Sequence, residues 1–93
     1  MPRNTTLPVP LETWTELTGG DATVVSFQNK GSMPIVVIAT VDGTAPVAVD
    51  GYSYGAGDGE FSMVLADAFP GLTSPVRLWA YSEWSSSVFV SHV

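Results

Sequence analysis

The sequence predicts an all-β protein, a small antiparallel β-sandwich or partly open barrel of about six to seven short strands. Short runs that alternate apolar and polar residues are separated by turn signals rich in glycine, aspartate and asparagine. No ten-residue segment keeps a helical period free of glycine and proline, which argues against long helices. With 93 residues, the chain can form one domain with a thin core, so association between copies would add stability.

The strands are expected in order along the chain, after an N-terminal arm that lies outside the sandwich. Residues 1–10 carry three prolines and no periodicity, so we expect an extended arm that is either frayed or docked on a neighbouring subunit. Residues 11–93 then form the sandwich domain. Alternation predicts strands at 11–17, 22–28, 33–41 and 60–66, shorter pieces at 45–49 and 52–54, and a turn or single helical turn at 67–71.

The C-terminal segment Val76–Val93 is the stretch around which the rest of the chain is expected to pack. Two alternating runs, 76–82 and 87–93, are joined by Glu83-Trp84-Ser85-Ser86, a pattern typical of an antiparallel hairpin. Apolar residues lie on both faces of this hairpin, and two strands alone are marginally stable in water. We therefore expect it to lie inside a sandwich or at a subunit interface.

Charge and composition disfavour several classes of partner. Nine acidic residues against three basic ones give a formal net charge of −6 and a pI near 4.2, which disfavours nucleic-acid binding. No apolar run approaches the roughly 20 residues of a membrane span, and the N-terminus lacks the apolar segment of a signal peptide. We expect a chain made in the cytosol that binds neither nucleic acid nor membrane. Cysteine is absent, so stability must come from packing or partners.

Residues that could support catalysis or bind an ion are few. His92 is the single histidine and is expected at the surface or at an interface, and the nearby serines make no triad without an oriented base and an oxyanion hole. Gly55–Gly59 resembles a phosphate loop but lacks the G-x-G-x-x-G spacing and a following helix. Four acidic loop residues match no EF-hand spacing and are expected in turns, with calcium binding as the alternative. They are Asp42, Asp50, Asp58 and Glu60. We predict no enzyme activity, no catalytic residues, no metal and no cofactor.

Aromatic residues divide into an expected core set and an expected surface set. The core set is Phe27, Phe61, Trp79 and Phe89. Trp84 lies among serines in the terminal joint, where burial within its own subunit is difficult, so it is expected to contact a partner or a ligand. Arg77, Tyr81 and Trp84 are the predicted interface residues. Tyr52, Tyr54 and Trp84 are the residues expected to stack on a sugar ring if the chain binds carbohydrate.

Several segments resemble the small all-β proteins encoded beside the capsid and tail genes of tailed bacteriophages. These segments are Trp14-Thr15-Glu16-Leu17, Phe27-Gln28-Asn29, Ile35–Ala39, Arg77-Leu78-Trp79-Ala80 and Val88-Phe89-Val90-Ser91. The resemblance covers about residues 11–93 and rests on a pattern of strands and turns. The glycine-rich segment 55–59 and the proline-rich arm depart from it.

The resemblance implies a virion component without enzyme activity. The expected function is that of a capsid decoration or cement protein, which stabilises the shell by adding contacts between subunits. Its expected partners are the major capsid protein or other virion proteins and further copies of itself, with a homotrimer favoured. The alternative is a carbohydrate-binding module on a tail or fibre.

Overall fold

The protein is an all-β sandwich, which confirms the predicted fold class. A computed structural model describes residues 3–20, 22–72 and 76–92. In chain order, the elements are β1 (Arg3–Val9), β2 (Thr15–Glu16), β3 (Val24–Asn29), β4 (Ile35–Thr40), β5 (Tyr52–Tyr54), β6 (Gly59–Val64), α1 (Leu65–Ala68), β7 (Arg77–Tyr81) and β8 (Ser86–His92). The first sheet has the strand order β1-β8-β3-β6, and the second has the order β2-β7-β4-β5.

The connectivity is that of a jelly roll. Strands of the first half pair antiparallel with strands of the second half: β1 with β8, β2 with β7, β3 with β6 and β4 with β5. β8 also pairs with β3, and β7 also pairs with β4, which completes the two sheets. Successive strands therefore lie in opposite sheets, apart from β4 and β5. Eight strands nested in this way are the double-sheet arrangement of jelly rolls.

The core lies between the sheets and follows from the period-2 alternation of the strands. In β4, Ile35, Val37 and Ala39 point inward and are buried, while the residues between them are half-buried. The inner faces of the other central strands supply Val25, Phe27, Leu78, Ala80, Val88 and Val90. Because the interior of a small domain is close-packed, truncating a fully buried leucine there to alanine would cost about 2–5 kcal/mol.

A single helical turn, α1, follows β6, where the sequence predicts that the strand continues to residue 66. Leu65 is fully buried, its N–H donates to the Thr23 carbonyl (2.9 Å), and its own carbonyl accepts from the Phe69 N–H (2.9 Å). The strand ends here because Leu65 enters the core as the chain leaves the first sheet. Over the described residues, no helix has the length and apolar character that crossing a membrane requires.

The predicted C-terminal hairpin is wrong. β7 pairs with β2 and β4 in the second sheet, whereas β8 pairs with β1 and β3 in the first. The two runs are strands, as expected, but the joint between them crosses the sandwich. Alternation reports which face of a strand is buried and carries no information on its partner. Four linking residues span the roughly 10 Å between packed sheets. Val93 lies outside the described residues.

The N-terminal segment is extended, as predicted, but it is not an arm separate from the sandwich. Arg3–Val9 forms β1, an edge strand of the first sheet, and Val9 is fully buried in the core. Pro8 lacks an N–H donor and fits here because an edge strand pairs on one side only. Met1 and Pro2 of the predicted arm lie outside the described residues.

Two further predicted strands are short or missing. Within 11–17, only Thr15–Glu16 forms a strand, since Glu12 adopts a positive φ of 53° that interrupts extended structure. Residues 45–49 lie in the exposed connection between β4 and β5 and form no strand there. Val47 in this connection is fully exposed.

Candidate functional site

The outer face of the first sheet carries an exposed aromatic groove of about 360 Å³. We call it the Phe61–Phe89 groove. Phe61 is 90% exposed and Phe89 is 39% exposed, and the side chains around them are mostly small or uncharged. The groove is lined by Ser26, Phe27, Gln28, Glu60, Phe61, Phe89 and Ser91. Large apolar side chains exposed together on a rigid sheet are typical of a contact surface.

A β-bulge in β6 creates this exposure. The register places Val25 opposite Met63 and Phe27 opposite Glu60. Between these pairs β3 has one residue, Ser26, whereas β6 has two, Phe61 and Ser62. Ser62 adopts a left-handed φ of 54°, and its backbone N–H donates to the Ser26 hydroxyl (2.8 Å). The extra residue shifts the alternation of β6 by one position.

The bulge reverses the predicted orientation of Phe61. Simple alternation places Phe61 on the same inward face as Met63 and Leu65, and the prediction that it belongs to the core is wrong. In the structure Met63 packs against the core and Leu65 is buried, while the bulge turns Phe61 outward. Bulges are known to re-aim side chains in this way at functional positions.

Phe89 is also on the outer face, so its predicted place in the core is wrong as well. Val88 and Val90 on either side of it are fully buried, which leaves Phe89 pointing away from the core. The alternation of apolar residues in β8 is enough to predict that Phe89 lies on the face opposite to Val88 and Val90. Phe27 and Trp79 are buried, as predicted.

A second cavity, a cleft of about 320 Å³, lies at the open edge of the sandwich between β5 and β6. Its lining combines two phenols with two carboxylates: Tyr52, Tyr54, Glu60, Met63, Val64, Asp67 and Ala68. The Tyr52 hydroxyl donates to the Ala68 carbonyl (2.7 Å), and its ring contacts Phe69 with centroids 5.2 Å apart. We call this cavity the tyrosine cleft.

Tyr54 is more buried than Tyr52. Its ring packs edge-on against Phe27, with centroids 5.0 Å apart, and its hydroxyl donates to Glu60 Oε2 (3.2 Å). Burial, and then the negative charge of Glu60, raise the pKa of Tyr54 to about 12. Tyr54 is therefore a neutral hydrogen-bond donor at physiological pH.

The side chain of Asn29, at the end of β3, fixes the loop that precedes β6. Its Nδ2 donates to the carbonyls of Met33 (2.8 Å), Tyr54 (3.2 Å) and Gly55 (3.2 Å). Its Oδ1 accepts from the Gly31 N–H (3.1 Å) and the Ser86 hydroxyl (2.7 Å). Asn29 is fully buried and links both sheets at this end of the sandwich. The loop before the exposed strand is therefore anchored.

The glycine-rich segment 55–59 is a turn, tied to β3 by backbone hydrogen bonds. The Gly57 N–H donates to the Asn29 carbonyl (2.9 Å), and the Asn29 N–H donates to the Asp58 carbonyl (2.8 Å). The Gln28 side chain adds a bond to the Gly57 carbonyl (2.9 Å). The backbone N–H and carbonyl groups of this turn are therefore bonded to β3.

The three predicted interface residues differ in exposure and in their contacts within the chain. Arg77 is half-buried and pairs with Glu16 (3.4 Å) within its own chain. Tyr81 packs against Trp14, with ring centroids 5.2 Å apart. Trp84 lies in the β7–β8 connection and is 55% exposed, so it is the most accessible of the three. Trp84 does not line the tyrosine cleft, so the structure brings together Tyr52 and Tyr54 of the predicted sugar-binding set without it.

His92 is buried, at 7% exposure, and the expectation that it lies at the surface is wrong for the folded chain. Its Nε2 lies 2.6 Å from the Thr18 carbonyl oxygen, so it links the end of β8 to the turn after β2. Ser82, one of the serines near it in sequence, is buried and donates to the Pro34 carbonyl (3.1 Å). In the part of the chain that the structure describes, no three histidine or acidic side chains converge on a point that could hold a metal ion.

Comparisons of the chain with protein-family models, with curated proteins and with solved structures found no match.

Proposed function

We propose that this chain is a structural protein of a bacteriophage virion, a decoration or cement protein that acts through contacts and has no enzyme activity. Its partners are the major capsid protein or other virion proteins and further copies of itself. In this proposal the shell gains stability from apolar contact area added between neighbouring subunits.

The observation that carries this proposal is the Phe61–Phe89 groove. Burying an exposed phenylalanine is worth about 1.5–3 kcal/mol, and clustered aromatic side chains dominate the energy of protein interfaces. Phe61 is turned outward by a bulge in a paired strand, so its backbone is already ordered before the side chain is covered. Jelly rolls recur in viral capsid and lectin domains, which supports the proposal by fold analogy alone.

Purified particles produced by the phage that encodes the chain test this proposal. We expect mass spectrometry to find the chain in them at a fixed copy number relative to the major capsid protein. Particles carrying Phe61→Ser should lose the chain or release DNA at a lower temperature. Val47→Ser, at an equally exposed position in the β4–β5 connection, is the matched control and should behave as wild type. Particles that lack the wild-type chain would contradict the proposal.

The tyrosine cleft supports a second candidate function, carbohydrate binding. The exposed face of Tyr52 could stack on a sugar ring, while Glu60 and Asp67 offer acceptors for sugar hydroxyls. A lectin role is also compatible with the jelly-roll fold by analogy.

A glycan array followed by calorimetry tests this alternative. Binding at the cleft requires that Tyr52→Ala weakens the signal and that Trp84→Ala leaves it unchanged, since Trp84 lies elsewhere. A glycan signal that depends on Trp84 and not on Tyr52 would place the site outside the cleft.

A further inference from the structure

We infer that the partner of the Phe61–Phe89 groove is a second copy of this chain, packed face to face so that Phe61 of each copy is seated beside Phe89 of the other. The inference deepens the proposed function, in which copies of the chain contact one another. It stands on the charge, shape and extent of the groove.

The groove is the kind of surface that two copies of an acidic protein can bring together. Each copy has a formal net charge of −6, so like charges repel wherever charged surfaces meet. Of the seven lining residues only Glu60 is charged, and its carboxylate accepts a hydrogen bond from Tyr54 of the other sheet. The outer-face positions that continue the groove across β8 and β1 are also uncharged: Phe89 is opposite Thr6, and Ser91 is opposite Asn4.

The groove combines a projecting side chain with a hollow. Phe61 stands out of the sheet at 90% exposure, and the lining of the hollow beside it includes Phe89 as well as serine and glutamine residues. The projection and the hollow belong to one continuous patch. A patch that carries both parts can match an identical patch across a two-fold axis, whereas a trimer requires two different patches. The groove therefore favours a dimer over the trimer that the sequence resemblance favours.

The exposed aromatic area of the groove can form the centre of a specific interface. A phenylalanine side chain offers roughly 200 Å², so the exposed parts of Phe61 and Phe89 in two copies supply about 500 Å². Specific interfaces bury at least about 1,200 Å² in total. The polar side chains around the groove, together with the exposed Val24 and Val64 at the ends of β3 and β6, extend the patch. An apolar centre within an uncharged polar rim is the usual anatomy of such a contact.

Size-exclusion chromatography with light scattering, over a range from about 1 µM to 1 mM, tests the inference on the purified chain. Wild type should give twice the 9.8 kDa chain mass at high concentration. Phe61→Ser should raise the dimer dissociation constant by about 10²- to 10⁴-fold, because two phenylalanines leave each two-fold interface. Phe61→Leu, which keeps an apolar side chain, should retain most of the association.

Controls separate association from folding and from the proposed function. Val47→Ser should dimerise as wild type does, and circular dichroism should show that Phe61→Ser remains folded, since Phe61 contributes little to the core. A wild-type chain that stays monomeric up to 1 mM, or a dimer that Phe61→Ser leaves intact, would overturn the inference. Because this assay contains no virion, its outcome is independent of whether the chain is found in phage particles.

Discussion

Replacing Asn29 by alanine should strongly destabilise the protein, because this buried polar side chain at the end of β3 holds several segments together. Its buried amide takes part in five hydrogen bonds that join β3 to the ends of β5 and β8 and to the turn before β4. Two N–H groups serve three carbonyls, so we count four effective bonds. Four of the five partners keep another hydrogen bond: Gly55 accepts from the Asp58 N–H, the Gly31 N–H donates to Ser87, and the Ser86 hydroxyl donates to the Met33 carbonyl.

The expected loss follows from that count. At about 0.5–1 kcal/mol per net bond, Asn29→Ala should lower the free energy of unfolding by about 2–4 kcal/mol. A domain of this size has a total stability of about 5–14 kcal/mol, so the loss is a large fraction of it. Gln28→Ala is the matched control: it removes an exposed bond to the Gly57 carbonyl and a long one (3.5 Å) from Lys30 Nζ, and should cost less than about 1 kcal/mol.

Urea unfolding, followed by tryptophan fluorescence, measures the free energy of unfolding of both variants. Asn29→Asp adds a test of whether the Asn29 side chain must donate hydrogen bonds. The carboxylate places an oxygen where Nδ2 faces three carbonyls, so the folded state should raise the pKa of the new side chain above its unfolded value near 3.9. The part of the penalty that comes from ionisation should be absent below that value and fully present above the raised pKa. A loss below about 1 kcal/mol for Asn29→Ala, or an Asn29→Asp penalty that does not change between pH 3 and pH 7, would refute this account of the amide.

Three further predictions concern the strands and loops around the two cavities. Gly59→Ala should unfold or strongly destabilise the chain, because a Cβ there would overlap the Phe27 carbonyl oxygen of the paired strand. Gly57→Ala is the control: its Cβ would meet open space, and its φ of 83° should lower the free energy of unfolding by only about 1 kcal/mol in the same denaturation assay. Ser62→Gly should raise the unfolding free energy by up to about 1 kcal/mol by relieving the left-handed backbone at 54°, and a lower stability would show that the bulge carries no such strain. In an ultraviolet titration, Tyr54 should ionise near pH 12. Because its pKa is raised in the folded state, the free energy of unfolding should fall as the pH rises from 10 to 12. Tyr54→Phe should remove the contribution of this group to that fall.

The fold class could be predicted from the sequence because alternation determines which residues are buried. In β4 and β8, the alternating valines and isoleucine that suggest strands are the residues that fill the core. Pairing could not be predicted, since β7 and β8 have the pattern of a hairpin and yet lie in opposite sheets. Partner choice depends on contacts between residues far apart in the chain, and a local pattern does not contain them.

The candidate site could be predicted only in part. Phe89 lies between two buried valines, so its outward position was readable from β8. The outward position of Phe61 cannot be predicted from the sequence, because a bulge of one residue reverses the face on which it lies. Ser62 adopts the left-handed conformation of the bulge, and serine, unlike glycine or asparagine, does not indicate such a position. The sequence predicts Tyr52 and Tyr54 as possible ligand contacts, but their carboxylate neighbours Glu60 and Asp67 come together only in the folded chain.

The pairing of β1 with β8 has a practical consequence for protein engineering. Arg3 lies directly opposite His92, so the two ends of the described chain are about 5 Å apart at their α-carbons. A short linker of glycine and serine could join them into a closed ring, and new ends could be opened in the exposed connection between β4 and β5. Such a circular permutant would keep every strand pair of the sandwich. It would display a fused cargo on the β4–β5 connection of the second sheet instead of at the edge of the sheet that carries Phe61.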